Sequence, residues 1–211
     1  MLDNDSIDNL YRKEDDFDEL DFRKQKDEEN PLLKQDFQNF LNEEISEPDI
    51  SYWCSDCEKA SDLLRKCIKL MNEKNWKAIK SYMKTCVNTE EDELELITNK
   101  KTNSDKVNKI SFVKNFYLGV AHFKEKEYDE AMNCFFEANK LYQYYQLHYN
   151  LALCCMKKGM LEEAVLYLDG VITKNNNFFF AYYNLIRIYL QKKNPSQAYV
   201  NYRRLSDVKY F

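Results

Sequence analysis

Apolar residues recur at helical spacing along the C-terminal half of the chain, and short polar stretches interrupt them at regular intervals. Three consecutive segments each carry two apolar stripes at i, i+4 and i+7 spacing, which is typical of amphipathic helices. The polar stretches between the two stripes are KEKEYDE, KKGMLEE and KKNPSQ. The pattern therefore predicts three helical hairpins over residues 108–211, each made of two helices joined by a short turn.

The hairpins repeat at a nearly fixed period. The stretches NFYLGVAHFKEKEYDEAMNCFFEA, HYNLALCCMKKGMLEEAVLYLDGV and YYNLIRIYLQKKNPSQAYVNYRRL align on Ala131, Ala164 and Ala198, which are 33 and 34 residues apart. A small residue at this position indicates that the two helices of a hairpin cross closely. Asn194 and Pro195 predict the start of the last helix, because asparagine is a good N-cap and proline is tolerated at the first helical position.

This period, together with the Leu-Gly/Ala…Ala…Phe/Tyr…Ala pattern of each unit, resembles the tetratricopeptide repeat family over about residues 112–211. The resemblance implies an all-α fold, built as a right-handed superhelical stack of antiparallel helix hairpins. It also implies a non-enzymatic adaptor or scaffold that binds partner proteins. The sequence departs from the family pattern at Ile186, where a small residue is usual, and lacks the proline usual between units.

A fourth, divergent hairpin of the same type is predicted upstream, over residues 51–88. Ile79 takes the place of the aligned alanine, with apolar residues at matching positions before and after it. Ile79 and Ala131 are 52 residues apart, which exceeds one period. The polar and charged stretch 89–107 is expected to be a linker that accounts for the difference.

The first 50 residues are strongly acidic. They contain 17 Asp and Glu against 6 Lys and Arg, whereas the whole chain has a net charge of −5. Residues 1–50 are therefore expected to form a largely disordered tail, with an amphipathic helix over 31–44 as a candidate recognition or docking element. The remaining residues are too weakly basic to favour nucleic acid.

The chain shows no leader pattern and no apolar run long enough to span a membrane. We therefore expect no membrane insertion. A cytoplasmic location is predicted, and complexes in the nucleus or at an organelle stay open as alternatives.

Cys54 and Cys57 form a Cys-x-x-Cys motif directly behind Trp53. A thioredoxin-type site needs a buried strand before such a motif, and a zinc site needs a second close pair of Cys or His. The preceding LNEEISEPDISY has no apolar strand pattern, and no second pair follows. The sequence therefore favours packing of Trp53 on the hairpin and predicts no enzyme, cofactor or metal. A thiol redox or metal-binding protein using this motif is the alternative.

In the tetratricopeptide family, the first helix of each hairpin lines a concave groove. The resemblance implies that the peptide groove of this chain consists of Phe116, Val120, Lys124, Tyr149, Asn150, Leu153, Lys157, Tyr183, Asn184 and Arg187. Such a lining, apolar with a few amides and cations, suits a peptide with apolar anchors, docked as a helix or an extended strand. Of the five positions with which related co-chaperones hold a C-terminal carboxylate, only Asn150 matches, which argues against that kind of clamp.

The last hairpin is expected to expose an apolar face, because only SDVKYF follows it in this sequence. The face would contain Tyr202, Leu205 and Val208. An exposed apolar face usually marks an interface. A partner protein bound at this face, pairing of two copies into a homodimer, and coverage by residues 31–44 are the alternatives.

Overall fold

The computed structural model describes residues 45–50, 57–85 and 103–206. Regular structure in these ranges is entirely helical, so the all-α class is confirmed for the part of the chain described. The helices are α1 Glu58–Asn72, α2 Trp76–Thr85, α3 Asn103–Lys124, α4 Tyr128–Leu141, α5 Tyr145–Lys158, α6 Leu161–Lys174, α7 Phe179–Gln191 and α8 Pro195–Ser206.

The helices pack as pairs of sequence neighbours. Each odd-numbered helix packs on the helix that follows it, and successive pairs meet through α4 with α5 and through α6 with α7. Both α1 and α2 pack on α3. One apolar core runs from Ile50 to Ile188, and a second cluster joins α7 to α8. Each pair therefore buries its apolar stripes partly within itself and partly against its neighbour.

The turn inside each helix pair contains one residue in the left-handed backbone region. These residues are Lys74, Lys126, Gly159 and Lys193, with φ of 53°, 66°, 76° and 54°. Each lies five residues before the position that the sequence alignment places in register, which is Ile79 in the first pair and an alanine in the others. The pair α1–α2 therefore shares both the register and the turn geometry of the later three.

The boundary of the predicted linker differs from the structure. Helix α3 begins at Asn103, so the last five residues of the predicted 89–107 linker are helical. Asp105 explains this extension, because its carboxylate pairs with Lys109 Nζ at 3.0 Å and accepts a hydrogen bond from the Tyr142 hydroxyl at 2.9 Å. These two partners hold the pKa of Asp105 below its usual value. The first turns of α3 are thus tied to the end of α4.

The acidic tail also differs from the prediction at its C-terminal end. The sequence predicts that residues 45–50 belong to the tail, but Ile45 and Ile50 pack with the core. The predicted helix 31–44 and the rest of the tail lie outside the described residues, so their predicted disorder stays a prediction. The last six residues of the 1–50 range belong instead with the helical body.

Replacing Asn194 with alanine is expected to lower the free energy of unfolding by about 1 kcal/mol, because Asn194 caps α8. Its Oδ1 accepts a hydrogen bond from the Gln197 N–H at 3.2 Å, and Pro195 is the first helical residue, as the sequence predicts. Asn194→Asp is the matched control, since it keeps the acceptor oxygen. Urea unfolding followed by circular dichroism measures both, and an equal loss in the two variants would contradict the capping role.

Candidate functional site

One position on the first helix of each of the last three pairs carries a buried polar side chain. This position lies fourteen residues before the aligned alanine of each pair. It is occupied in turn by Tyr117, Asn150 and Asn184, and these three residues are called the polar row below. Their exposed fractions are 2%, 0% and 1%. Because buried polar groups are almost always hydrogen-bonded, the partners of the polar row show what this face of the protein accommodates.

The residues ISEPDI, 45–50, contact the first two members of the polar row and are called the docked segment below. Asn150 makes two hydrogen bonds with the backbone of Ser46. Its Oδ1 accepts from the Ser46 N–H at 2.8 Å, and its Nδ2 donates to the Ser46 carbonyl at 2.9 Å. The Tyr117 hydroxyl donates to Glu47 Oε2 at 3.4 Å. A side-chain amide of α5 therefore pairs with a main chain 104 residues away, in the manner of a neighbouring strand.

Burial alternates along the docked segment. Pro48 and Ile50 are buried, whereas Glu47 and Asp49 are exposed. This period of two indicates an extended chain that lays one face on the protein. Pro48 favours the extended conformation, because the residue before a proline avoids the helical region. Ile45 and Ile50 pack with the apolar core at the two ends of the segment.

The third member of the polar row links α7 to α5. Asn184 Nδ2 donates to the Tyr149 hydroxyl at 3.2 Å, and Arg187 Nη1 donates to Asn184 Oδ1 at 3.5 Å. Arg187 also lies 5.8 Å from the centroid of the Tyr183 ring. Burial raises the pKa of Tyr149, so its hydroxyl stays neutral and serves as a hydrogen-bonding group. The network fixes the side chains next to the docked segment's main partner, Asn150.

Two cations belong to the same face. Lys157 and Arg187 are exposed members of the predicted groove. Burial of the Lys157 stem and the nearby charge of Arg187 lower the pKa of Lys157. The two positive charges therefore lie close enough to influence each other.

The ten predicted groove residues divide by exposure. Lys157 and Arg187 are exposed, and Lys124 and Tyr183 are half-buried. The other six are buried, namely Phe116, Val120, Tyr149, Asn150, Leu153 and Asn184. The structure thus brings Asn150 directly to the docked segment, while much of the remaining set packs in the core.

Tyr149 shows how an expected groove residue becomes a core residue. Its ring centroid lies 5.0 Å from that of Phe178 and 6.4 Å from that of Phe180. Two phenylalanines at the start of α7 therefore pack on the Tyr149 ring. Only the hydroxyl of Tyr149 takes part in the polar contacts of this face, through Asn184.

Sequence reasoning missed Tyr117 and the docked segment. Tyr117 stands 33 residues before Asn150, so the repeat register is a sufficient signal for its place in the polar row. The docked segment has a weaker signal, because its two isoleucines and one proline lie within an acidic stretch. A short apolar pattern of this kind does not by itself distinguish a docked peptide from a tail.

The predicted interface at the last hairpin needs correction. Leu205 is only 1% exposed, because it lies on the side of α8 that faces α7 and packs in a cluster with Tyr182, Ile186 and Ala198. Tyr202 is half-buried, and Val208 lies outside the described residues. The exposed large apolar side chains of α7 and α8 are Leu190, Tyr199 and Val200.

The described thiols do not resemble a reactive site. Cys57 is buried at the N-cap of α1, and Cys54 lies outside the described residues. Burial raises the pKa of Cys134 and Cys154, and it raises that of Cys155 to about 11. A thiol with a raised pKa stays protonated near neutral pH and is a poor nucleophile. Within the described ranges, no group of three His, Cys, Asp or Glu is placed to hold a metal ion.

No protein-family model matches the chain, and no curated protein matches it either. Of the helices described, none is both long and apolar enough to cross a membrane. The contacts between the docked segment and the side chains that hold it are therefore the main evidence for a function.

Proposed function

We propose that the protein is a non-enzymatic adaptor of the tetratricopeptide type, which holds a peptide of a partner protein on the face formed by α3, α5 and α7. In this proposal the helix pairs form a right-handed superhelical stack, and the polar row lies on its concave side. Three observations support the proposal: the 33–34-residue register, the common left-handed turn, and the packing of the pairs in sequence order.

The observation that carries the proposal is the pair of hydrogen bonds between the Asn150 amide and the Ser46 backbone. A side-chain amide can accept one hydrogen bond from the main chain of a peptide residue and donate another to it. Such an amide can hold an extended peptide regardless of which side chain that residue carries. Each hydrogen bond contributes about 0.5–1.5 kcal/mol net. Asn150 therefore sets the position of the peptide, and buried apolar anchors supply most of the affinity.

The charges of this face favour an acidic peptide. Lys157 and Arg187 are positive and exposed, whereas the docked segment presents Glu47 and Asp49 to solvent. Opposite charges on the two partners speed their encounter and disfavour basic competitors. We therefore propose an extended, acidic peptide as the ligand class.

Asn150→Leu is expected to weaken peptide binding about tenfold, because it removes both main-chain hydrogen bonds while keeping the branched shape of the side chain. The ligand is a fluorescent peptide with the sequence of residues 43–52, EEISEPDISY. The parent is the full chain carrying Ser46→Pro, which deletes the Ser46 N–H and so weakens docking of the chain's own segment. Fluorescence anisotropy measures the dissociation constant.

Asn133→Leu is the matched control, because Asn133 is an exposed residue of α4 and not a member of the polar row. It should leave binding unchanged in the same parent. Circular dichroism checks that every variant keeps its helices. If the parent binds no peptide, or if Asn150→Leu binds as tightly as the parent, Asn150 does not serve peptide recognition and the proposed function is wrong.

A further inference from the structure

The docked segment occupies the atoms that the proposed function assigns to a partner. Asn150 is fully buried, and its amide oxygen and nitrogen both bond to Ser46. Tyr117 is likewise directed to the same segment through Glu47. A second peptide therefore cannot form the main-chain pairing with Asn150 until Ser46 has left.

The docked segment is held differently from the helices. Asn150 supplies two hydrogen bonds of ordinary length, and Tyr117 adds a longer one at 3.4 Å. Glu47 and Asp49 are exposed, and the segment has no helical or strand ladder of its own. Segments that lie outside the helices and have no ladder of backbone hydrogen bonds open at lower free energy than the packed helices. The segment is therefore suited to leave without unfolding the helices.

The position of the segment in the chain makes it an effective competitor. Seven residues separate Ile50 from Glu58, where α1 begins. A short connection of this length gives a tethered peptide a local concentration of the order of millimolar. A free peptide of similar intrinsic affinity then binds only the fraction of molecules in which the segment is released.

We propose that the docked segment is an intramolecular pseudo-ligand that autoinhibits the peptide site, and that the partner's peptide shares its chemistry. This inference rests on the proposed function. The partner peptide is extended and has two β-branched apolar residues five positions apart, with a proline flanked by acidic residues between them. It binds by displacing residues 45–50 and pairing its own main chain with Asn150.

The buried and exposed positions of the segment define this pattern. Ile45 and Ile50 pack with the core, and Pro48 is buried between them. Glu47 and Asp49 face solvent, where a charged side chain keeps its hydration. The apolar positions thus determine anchoring, and the acidic positions determine the charge that a partner must carry.

The test compares three full-length proteins that bind the same labelled peptide of residues 43–52. Ser46→Pro deletes the N–H that bonds to Asn150, whereas Ser46→Ala keeps it and is the matched control. Ile50→Ser is a second release variant, which removes a buried anchor instead of a hydrogen bond. We expect both release variants to bind at least about tenfold more tightly than the wild type and Ser46→Ala, because the intramolecular competitor is weakened.

A peptide N-methylated at the Ser46 amide provides the reciprocal control. The methylated nitrogen has no hydrogen to donate to Asn150 Oδ1. This peptide should therefore bind the release variants at least about fivefold more weakly than the unmodified peptide. Equal binding by wild type and release variants, with loss of binding on N-methylation, would overturn autoinhibition and leave the peptide site intact. Absence of binding to every variant would overturn the peptide site itself.

Size-exclusion chromatography with light scattering distinguishes docking within one chain from docking between two copies. The inference requires that the wild type be a monomer when the peptide site is closed. A wild-type dimer that Ser46→Pro converts to a monomer would show that the segment is exchanged between copies, and would overturn the intramolecular form of the proposal.

Discussion

Replacing Phe135 with alanine is expected to lower the free energy of unfolding by about 3–5 kcal/mol. The Phe135 ring is fully buried between α4 and α3. It lies so close to Gly119 that a Cβ placed there would be 2.7 Å from the ring, and its centroid is 6.0 Å from that of Phe116. Truncation leaves a cavity because the surrounding helices are held apart by the rest of the core.

Phe136→Ala is the control with the same chemical change at the next residue. Phe136 is 49% exposed, and its ring lies 4.7 Å from Lys140 Nζ. Losing this exposed cation–π contact should lower the free energy of unfolding by less than about 1 kcal/mol. Urea unfolding measures both variants. Equal losses would mean that the buried stripe of α4 has been assigned to the wrong register.

Leu205→Glu is expected to destabilise the protein by at least about 3 kcal/mol and to release α8 from α7. The substitution removes a buried apolar side chain and places an unpaired carboxylate among Tyr182, Ile186 and Ala198. A carboxylate in such a site is disfavoured in its charged form. The loss should therefore be larger at pH 8 than at pH 5, and thermal unfolding at the two pH values measures this.

Leu190→Glu is the matched control on the preceding helix, because Leu190 is 48% exposed. It should change the unfolding temperature by little at either pH. Light scattering adds a second measurement. A Leu205→Glu protein that keeps its unfolding temperature but changes from dimer to monomer would show that Leu205 belongs to an interface between copies rather than to the core of one chain.

The helix pairs were predictable from sequence because side-chain spacing reports directly which face of a helix is buried. Ala131, Ala164 and Ala198 are all buried, and the Asn194–Pro195 start of α8 follows from local chemistry alone. Ile79 is also buried, at the position that the divergent hairpin required. These features depend on contacts between neighbours in the chain, which a repeat pattern encodes.

The last pair shows where a repeat pattern misleads. Gly119 leaves room for Phe135, whereas the equivalent positions in α7 and α8 hold Ile186 and Tyr202. Ile186 is buried and fills that space itself, and Tyr202 is only half-buried. The sequence predicts the apolar stripe of α8 correctly but wrongly places Leu205 on an exposed face, whereas it packs against α7. A stripe of apolar residues does not by itself indicate whether it faces a neighbouring helix or solvent.

The docked segment was not predictable for a different reason. Its charge and proline content are those of a tail, and the two side chains that bind it lie 70 and 104 residues further along the chain. Only Asn150, selected because of its position in the repeat, was identified in advance. Recognition of an extended segment depends on a surface that several helix pairs build together, and no local window of sequence contains that surface.

The distance along the chain between Ser46 and Asn150 also has a consequence for the order of folding. Helices that pack with sequence neighbours close short loops, whereas the contact between these two residues spans 104 positions. Closing so long a loop has an entropic penalty that is repaid only after α3 and α5 have formed their shared face. We therefore expect residues 45–50 to be the last part of the described chain to acquire protection from hydrogen exchange during refolding, and the first to lose it on unfolding. Exchange at the Ser46 amide would then report whether the adjoining repeats are correctly assembled.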